Sequence, residues 1–253
     1  MKLALLRSDQ CRFGENDKPV LVIPIGAVEQ HSRHLPLGTD ALIVEHIARA
    51  LEETHPALVL LAPTVWIGAS NHHLALPGSA SVGTLTITEV VTRQVLSLVA
   101  STGIDRILIL NGHGGNQPAV RLALEHIHEK QPQVLGFGVD YWALMFDALD
   151  VVGIDRPPFM GHADIIETSI LLAKHPELVA MERAEDDGYG DGIGLHIATT
   201  EGIPERSRHG GVGDPRGATV TRGHEFFDAA VRGAADLVTR IATFTSTNQR
   251  HTT

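Results

Sequence analysis

Four short apolar runs constrain what this chain can fold into: residues 20–25, 58–62, 106–110 and 134–139, each cut off by glycine, proline, asparagine or aspartate. An apolar run of roughly 4–8 residues without a polar alternate suits a strand covered on both faces, which is the condition of a parallel sheet. Between these runs lie segments of helical periodicity, residues 41–54, 88–102 and 117–130. In the last of them Val120, Leu122, Ala123, Leu124 and Ile127 form a broad apolar stripe. Pro118 falls in its first turn, where the missing N–H has no partner to lose. Strand and helix alternate, so the chain reads as an α/β protein: a mostly parallel sheet with helices on both faces and right-handed crossovers.

Residues 165–174, stopped by Pro176, read as a further helix, and residues 225–243 as a long C-terminal one. Glycine concentrates in 186–194 and 202–217, which predicts irregular structure; the alternating Gly188, Gly190, Gly192 and Gly194 follow no strand and make no cofactor fingerprint. The polar tail 245–253 is expected to fray, and the 253 residues to form one domain.

With 43% hydrophobic but only 4% aromatic residues, the core must be aliphatic. A formal charge of −10 without a basic stripe argues against nucleic acid as a partner. The single cysteine, Cys11, has no companion for a disulfide or a metal-binding pair. No apolar run approaches the roughly 18 residues that a membrane span needs, and the start has no leader pattern, so a soluble, cytoplasmic protein is expected.

Three clusters carry chemistry. The first follows the opening strand: Glu29, His31, His34 and, after a Pro and Gly turn, Asp40. In extended backbone the two-residue spacing of Glu29 and His31 puts both side chains on one face. The second, Asn111-Gly-His-Gly-Gly-Asn116, lies where a strand gives way to a helix, the ligand-binding edge of such sheets. His113 is its metal-binding group, and Gly114 and Gly115 allow close approach of the backbone. The third joins His162 and Glu167 at a loop-to-helix junction, with Asp164 placed to complement the helix dipole. Carboxylates and imidazoles in this mixture suit divalent Zn, Mn or Fe. Five ligands are too many for one open catalytic ion and fit two ions, about 3.5–4 Å apart, that share a carboxylate and acidify a water.

Residues 29–40, 111–116 and 162–169 resemble the motifs of the creatininase (creatinine amidohydrolase) family, as do Pro77-Gly78-Ser79 and the segment 211–219. The resemblance spans roughly residues 20–240. It implies a three-layer α/β/α sandwich, two divalent ions per chain and a homo-oligomer, often a hexamer built from dimers. By residue, it implies Glu29, Asp40 and His113 around one ion, and His31, Asp40 and Glu167 around the other, with Asp40 bridging and His162 as the proton shuttle. Ser79, Gly114 and Gly115 become candidates for substrate contact.

Two departures bear on substrate. Creatinine-cleaving members carry Tyr and Glu at the positions of Gly114 and Gly115, and use tryptophans to enclose the ring; here only Trp66 and Trp142 exist, neither just before His162. Ser32 and Arg33 replace the family's usual Gly and Pro. The expected activity is therefore metal-dependent hydrolysis of a small-molecule amide, with creatinine disfavoured and cyclic amides, formamides of the formylaminopyrimidine type and short peptide ends open. A metal-dependent isomerase or aldolase, and a phosphate- or nucleotide-binding module using the 111–116 turn, are the alternatives. A serine hydrolase is disfavoured, since no Gly-x-Ser-x-Gly elbow is present.

Overall fold

The computed structural model describes residues 1–14, 17–188 and 201–244; the expected fraying tail and Gly190, Gly192 and Gly194 lie outside them. Strands β1 (Val20–Ile25), β2 (Val59–Leu61), β3 (Arg106–Asn111) and β4 (Leu135–Asp140) form one sheet in the order β2-β1-β3-β4. Every pairing is parallel, with Val22 opposite both Leu61 and Leu108, and Leu108 opposite Phe137. The runs of β1 and β2 are buried throughout, whereas β4, at the edge of the sheet, is only partly covered and leaves Gly136 and Gly138 exposed. Alternate residues serve opposite cores. Val20, Val22, Leu108 and Leu110 pack on one face, while Leu21, Ile23, Ile107 and Ile109 pack on the other.

Helix α1 (Thr39–Thr54) lies on the first face together with α4 (Tyr141–Val152), α5 (Ile165–Lys174) and α6 (Val220–Thr243). Helices α2 (Thr84–Thr102) and α3 (Gln117–Lys130) cover the second. This is the three-layer α/β/α arrangement. The chain leaves β1 toward β2 over one face and returns to β3 over the other. The order therefore reverses between β1 and β3, and the crevice outside their carboxyl ends is where such sheets bind ligands.

Helix α4 has no counterpart in the periodicity reading. Its sequence, YWALMFDALDVV, is apolar on nearly every side, which blurs the period, yet Tyr141, Met145 and Leu149 make a buried stripe at helical spacing. Helix α6 begins at Val220 rather than Glu225, because its first turn is polar and is started by the Thr219 hydroxyl accepting from the Arg222 N–H. It crosses α5 and α4 with glycines at both contacts. A Cβ on Gly223 would lie 1.9 Å from the Ser169 carbonyl oxygen, and one on Gly233 2.6 Å from that of Leu144. No helix among the described residues is long and apolar enough to cross a membrane.

The α5–α6 contact leaves no room for a methyl group, and the obstacle is backbone, which cannot rotate away. Gly223→Ala is expected to lower unfolding stability by about 3 kcal/mol or more, measured by denaturant titration; a change within 0.5 kcal/mol, on the order of a neutral surface substitution, would show the helices free to separate.

Candidate active site

The crevice between β1 and β3 is closed by close backbone packing. A Cβ on Gly26 would sit 2.5 Å from the Cα of Ala41, so the chain leaving β1 lies directly against the start of α1. That helix starts at Thr39, earlier than its apolar period shows, which brings Asp40 into its first turn. Ser32, in the intervening loop, takes a left-handed φ of 56°. On the β3 side Asn116 spans the crevice, its side-chain nitrogen donating to Gly26 O at 3.0 Å and its oxygen accepting from Ala69 N at 2.9 Å. Asn111 fixes the turn, donating to the His113 carbonyl and to Asp140, both at 2.7 Å.

The third segment is set by Asp164. Its carboxyl caps α5, accepting from Ile166 N at 2.8 Å and Glu167 N at 3.2 Å, while the other oxygen accepts from Gly161 N at 2.9 Å. Capping, rather than a diffuse dipole interaction, is therefore its role. Glu167 is held in turn by the Ala163 N–H at 2.6 Å. His162 exchanges two backbone hydrogen bonds with Val212, at 2.9 and 2.7 Å, which tie it to the glycine-rich segment beyond residue 201.

These segments bring the six ligand and shuttle candidates together. Glu29, His31, Asp40, His113 and Glu167 are each at most 4% exposed. Asp40 divides its oxygens: Oδ1 lies 3.0 Å from His31 Nε2, and Oδ2 lies 3.1 Å from His113 Nδ1. Glu29 Oε1 stands 3.3 Å from the same His113 nitrogen, and Glu167 Oε1 3.8 Å from that of His31. Three triads of potential ligand atoms, each within 4.8 Å, overlap here: His31-Asp40-Glu167, Glu29-His31-His162 and Glu29-His72-His113.

The electrostatics match a site built for positive charge. Burial opposes protonation of His113, yet Glu29 and Asp40 push it up to about 10. His31 is likewise raised well above its ordinary value by Asp40 and Glu167 against the effect of burial. Burial works against the charge on Glu29 and Asp40 too, but His113 lowers the first and His31 and His113 the second. His162 is lowered, by burial and by the neighbouring His31. Both oxygens of Glu29 and Oδ2 of Asp40 are buried and have no hydrogen-bond partner among the described residues. Lone pairs of buried carboxylates left this way are costly unless a cation meets them, so the donor set fits divalent metal.

The remaining candidates are less central. Ser79 lies beside the site, but its hydroxyl accepts from the Gln30 N–H at 3.0 Å. Gly115 is wedged in: a Cβ there would meet Ala69 O at 2.3 Å and His113 Nε2 at 2.4 Å. Gly114 borders open space, with nothing within 4 Å of its would-be Cβ. Trp66 is 40% exposed and donates to Glu45, and Trp142 packs against the core.

Asn71, His72 and His73 read from the sequence as lying near the mouth of the site without a part in it, and the sequence does not single out Gln30. His73 is 1% exposed with Nε2 3.2 Å from Glu29 Oε1, and the ring of His72 stacks 5.6 Å from that of His113. Their signal was an Asn-His-His turn with no metal spacing to the other clusters. Gln30, between two ligand candidates, had only its position to recommend it.

The buried carboxylate–imidazole cluster at the switch point of a parallel α/β sheet is a set of groups that could hold a metal ion. Residues 5–238 match the Creatininase family, described as creatinine amidohydrolase, and the chain belongs to that family. A "Mycofactocin precursor peptide peptidase" of Mycobacterium ulcerans (strain Agy99) is 33% identical over 236 residues, covering 90% of this chain and 86% of the relative. A "Creatinine amidohydrolase" of Pseudomonas putida is 26% identical over 235 residues, covering 87% and 88%. Among solved structures, a glutamine variant of creatininase titled "Zn-Zn type" superposes with a TM-score of 0.83 at 21% identity, covering 96% of this chain and 98% of that one. The protein is accordingly a hydrolase acting on carbon–nitrogen bonds, an amidohydrolase, which settles the choice against an aldolase or a nucleotide-binding module.

Ser32 stands where the family usually has glycine, in a conformation that costs a side-chain-bearing residue about 1 kcal/mol. Ser32→Gly is expected to raise unfolding stability by about that amount, read from the urea midpoint; a loss of stability would show that the serine side chain makes a compensating contact.

Proposed function

We propose that this chain is a two-metal amidohydrolase in which Glu29, Asp40 and His113 hold one divalent ion and His31, Asp40 and Glu167 the other. The observation that carries the reading is the division of Asp40: its two oxygens address different imidazoles, 3.0 and 3.1 Å away, and each imidazole also has its own glutamate. Zn, Mn or Fe suits that mixture of carboxylate and imidazole. Two such ions, when bound, acidify a water and polarise the amide carbonyl.

The protein's own groups do the rest. The backbone amides of Gly114 and Gly115 border the site and supply donors toward a developing oxyanion. His162, whose pKa is lowered by burial and by His31, takes a proton at the site and hands it to the leaving nitrogen. Asp164 and the Ala163 N–H fix Glu167, so its carboxylate does not have to be ordered when the ion arrives.

For the substrate we infer an amide larger than creatinine, carried at the end of a short peptide. The relative of Mycobacterium ulcerans, named as a peptide peptidase, covers nearly the whole chain. Open space beside Gly114 and the absence of both tryptophans from the cluster leave room that a small planar ring would not fill. Small-molecule formamides remain in the test panel. Assembly of several copies, as the family resemblance implies, accompanies this reading.

Glu167→Ala and His162→Gln separate the roles. With Glu167→Ala, metal analysis of purified protein is expected to fall from two equivalents per chain to one, and amide hydrolysis to background. With His162→Gln, two equivalents are retained while kcat falls by roughly 100- to 10,000-fold. The substrate panel is lactams, formamides and short peptides, assayed by release of amine; full activity and full metal content in Glu167→Ala would overturn the assignment. Removing the ions with a chelator is also expected to lower thermal stability, since an ion at 100 times its Kd stabilises the fold by about 2.7 kcal/mol; an unchanged Tm would mean that no ion occupies the site.

A further inference from the structure

Gln30 stands between Glu29 and His31 in sequence, is 4% exposed, and is surrounded by groups whose hydrogen-bonding sense is not a matter of choice. The Ser32 main-chain N–H can only donate, and it lies 3.0 Å from Gln30 Oε1. The Gly210 carbonyl can only accept, and it lies 2.8 Å from Gln30 Nε2. Those two contacts fix which end of the amide is nitrogen.

The orientation propagates to two imidazoles. Gln30 Nε2 lies 2.7 Å from His73 Nδ1, so that ring nitrogen must accept. A neutral imidazole that accepts at Nδ1 carries its proton on Nε2, the atom 3.2 Å from Glu29 Oε1. The ring that accepts at Nδ1 is neutral, because an imidazolium has no acceptor nitrogen. His162 is settled by the main chain of the same residue: its Nε2 lies 2.8 Å from Gln30 O, which can only accept, so Nε2 bears the proton. In the neutral ring, His162 Nδ1, 3.7 Å from Glu29 Oε1, is then the nitrogen that carries the lone pair. The approach of Gln30 Nε2 to His162 Nε2, 3.2 Å, sets donor against donor and makes no bond.

We propose that Gln30 is a positioning residue that assigns the protons of both rings, holding His73 as an N–H beside Glu29 and leaving His162 Nδ1 as the open nitrogen of the site. His73 is thereby barred from ligating a cation although it stands as near to Glu29 as His113 does. The inference rests on the reading of His162 as the proton-transfer group, but its readout does not require turnover.

The test is nitrogen NMR of the histidine rings in zinc-loaded protein, with resonances identified by His73→Gln and His162→Gln. Both rings are expected as the Nε2–H tautomer, with His73 free of zinc. In Gln30→Glu a carboxylate faces His73 Nδ1 and cannot donate, so the His73 proton is expected to move to Nδ1, while His162, which relies on the main-chain carbonyl, keeps its own. In the same variant kcat is expected to fall roughly 10- to 100-fold with KM unchanged. A wild-type His73 seen as Nδ1–H or bound to zinc overturns the proposal, as does an unmoved His73 proton in Gln30→Glu. Should that variant fail to fold, the wild-type spectrum decides alone. Full activity in His162→Gln with both tautomers as expected would instead remove the catalytic reading and leave the proton assignment standing.

Discussion

Asp40 shows its two oxygens to two different buried imidazoles, and much of the first core is arranged so that it stays between them. Its position depends on α1 beginning at Thr39, on Gly26 letting that helix lie against the chain leaving β1, and on the β1–β3 reversal opening a crevice there. A carboxylate buried this deeply is stable only with positive charge on both sides. Against burial, Asp40 with Glu167 raises the pKa of His31, and Glu29 with Asp40 that of His113, so both imidazoles are drawn toward the charged form, a role that a bound metal would take over.

Around that centre the polar residues divide into those that touch the crevice and those that hold others in place. Asn111, Asn116, Asp164 and Gln30 each make at least one hydrogen bond to a backbone group in or beside the three segments that carry the candidate ligands. Such residues need not meet the substrate to matter. A ligand group displaced by about 1 Å can lose most of its effect, and each of these side chains removes one such freedom.

The sheet was legible in the sequence because strands buried on both faces leave unbroken apolar runs, and those of β1 and β3 appear almost to the residue. Helix α4 was not, since a helix apolar on nearly every side has no period to read. The ligand candidates were legible as residue types at strand ends, and the spacing of Glu29 and His31 foretold their convergence. His73 was not legible: its burial against Glu29 is a product of tertiary packing, and a histidine in a short 3-10 turn looks the same whether it faces solvent or a carboxylate. The strain at Ser32 appears only through comparison with the family's usual glycine.

The close seating of α6 on α5, with Gly223 against the Ser169 carbonyl, has a bearing on synthesis. Glu167 rides on α5, which packs against α1 and against α6, a helix from much later in the chain. A growing chain that has already exposed Glu29, Asp40 and His113 thus gains one of the helices that seat Glu167 only once residues 220–243 have followed. The five candidate ligands are thus gathered by contacts distant in sequence, and their cluster is a property of the folded protein rather than of any one segment.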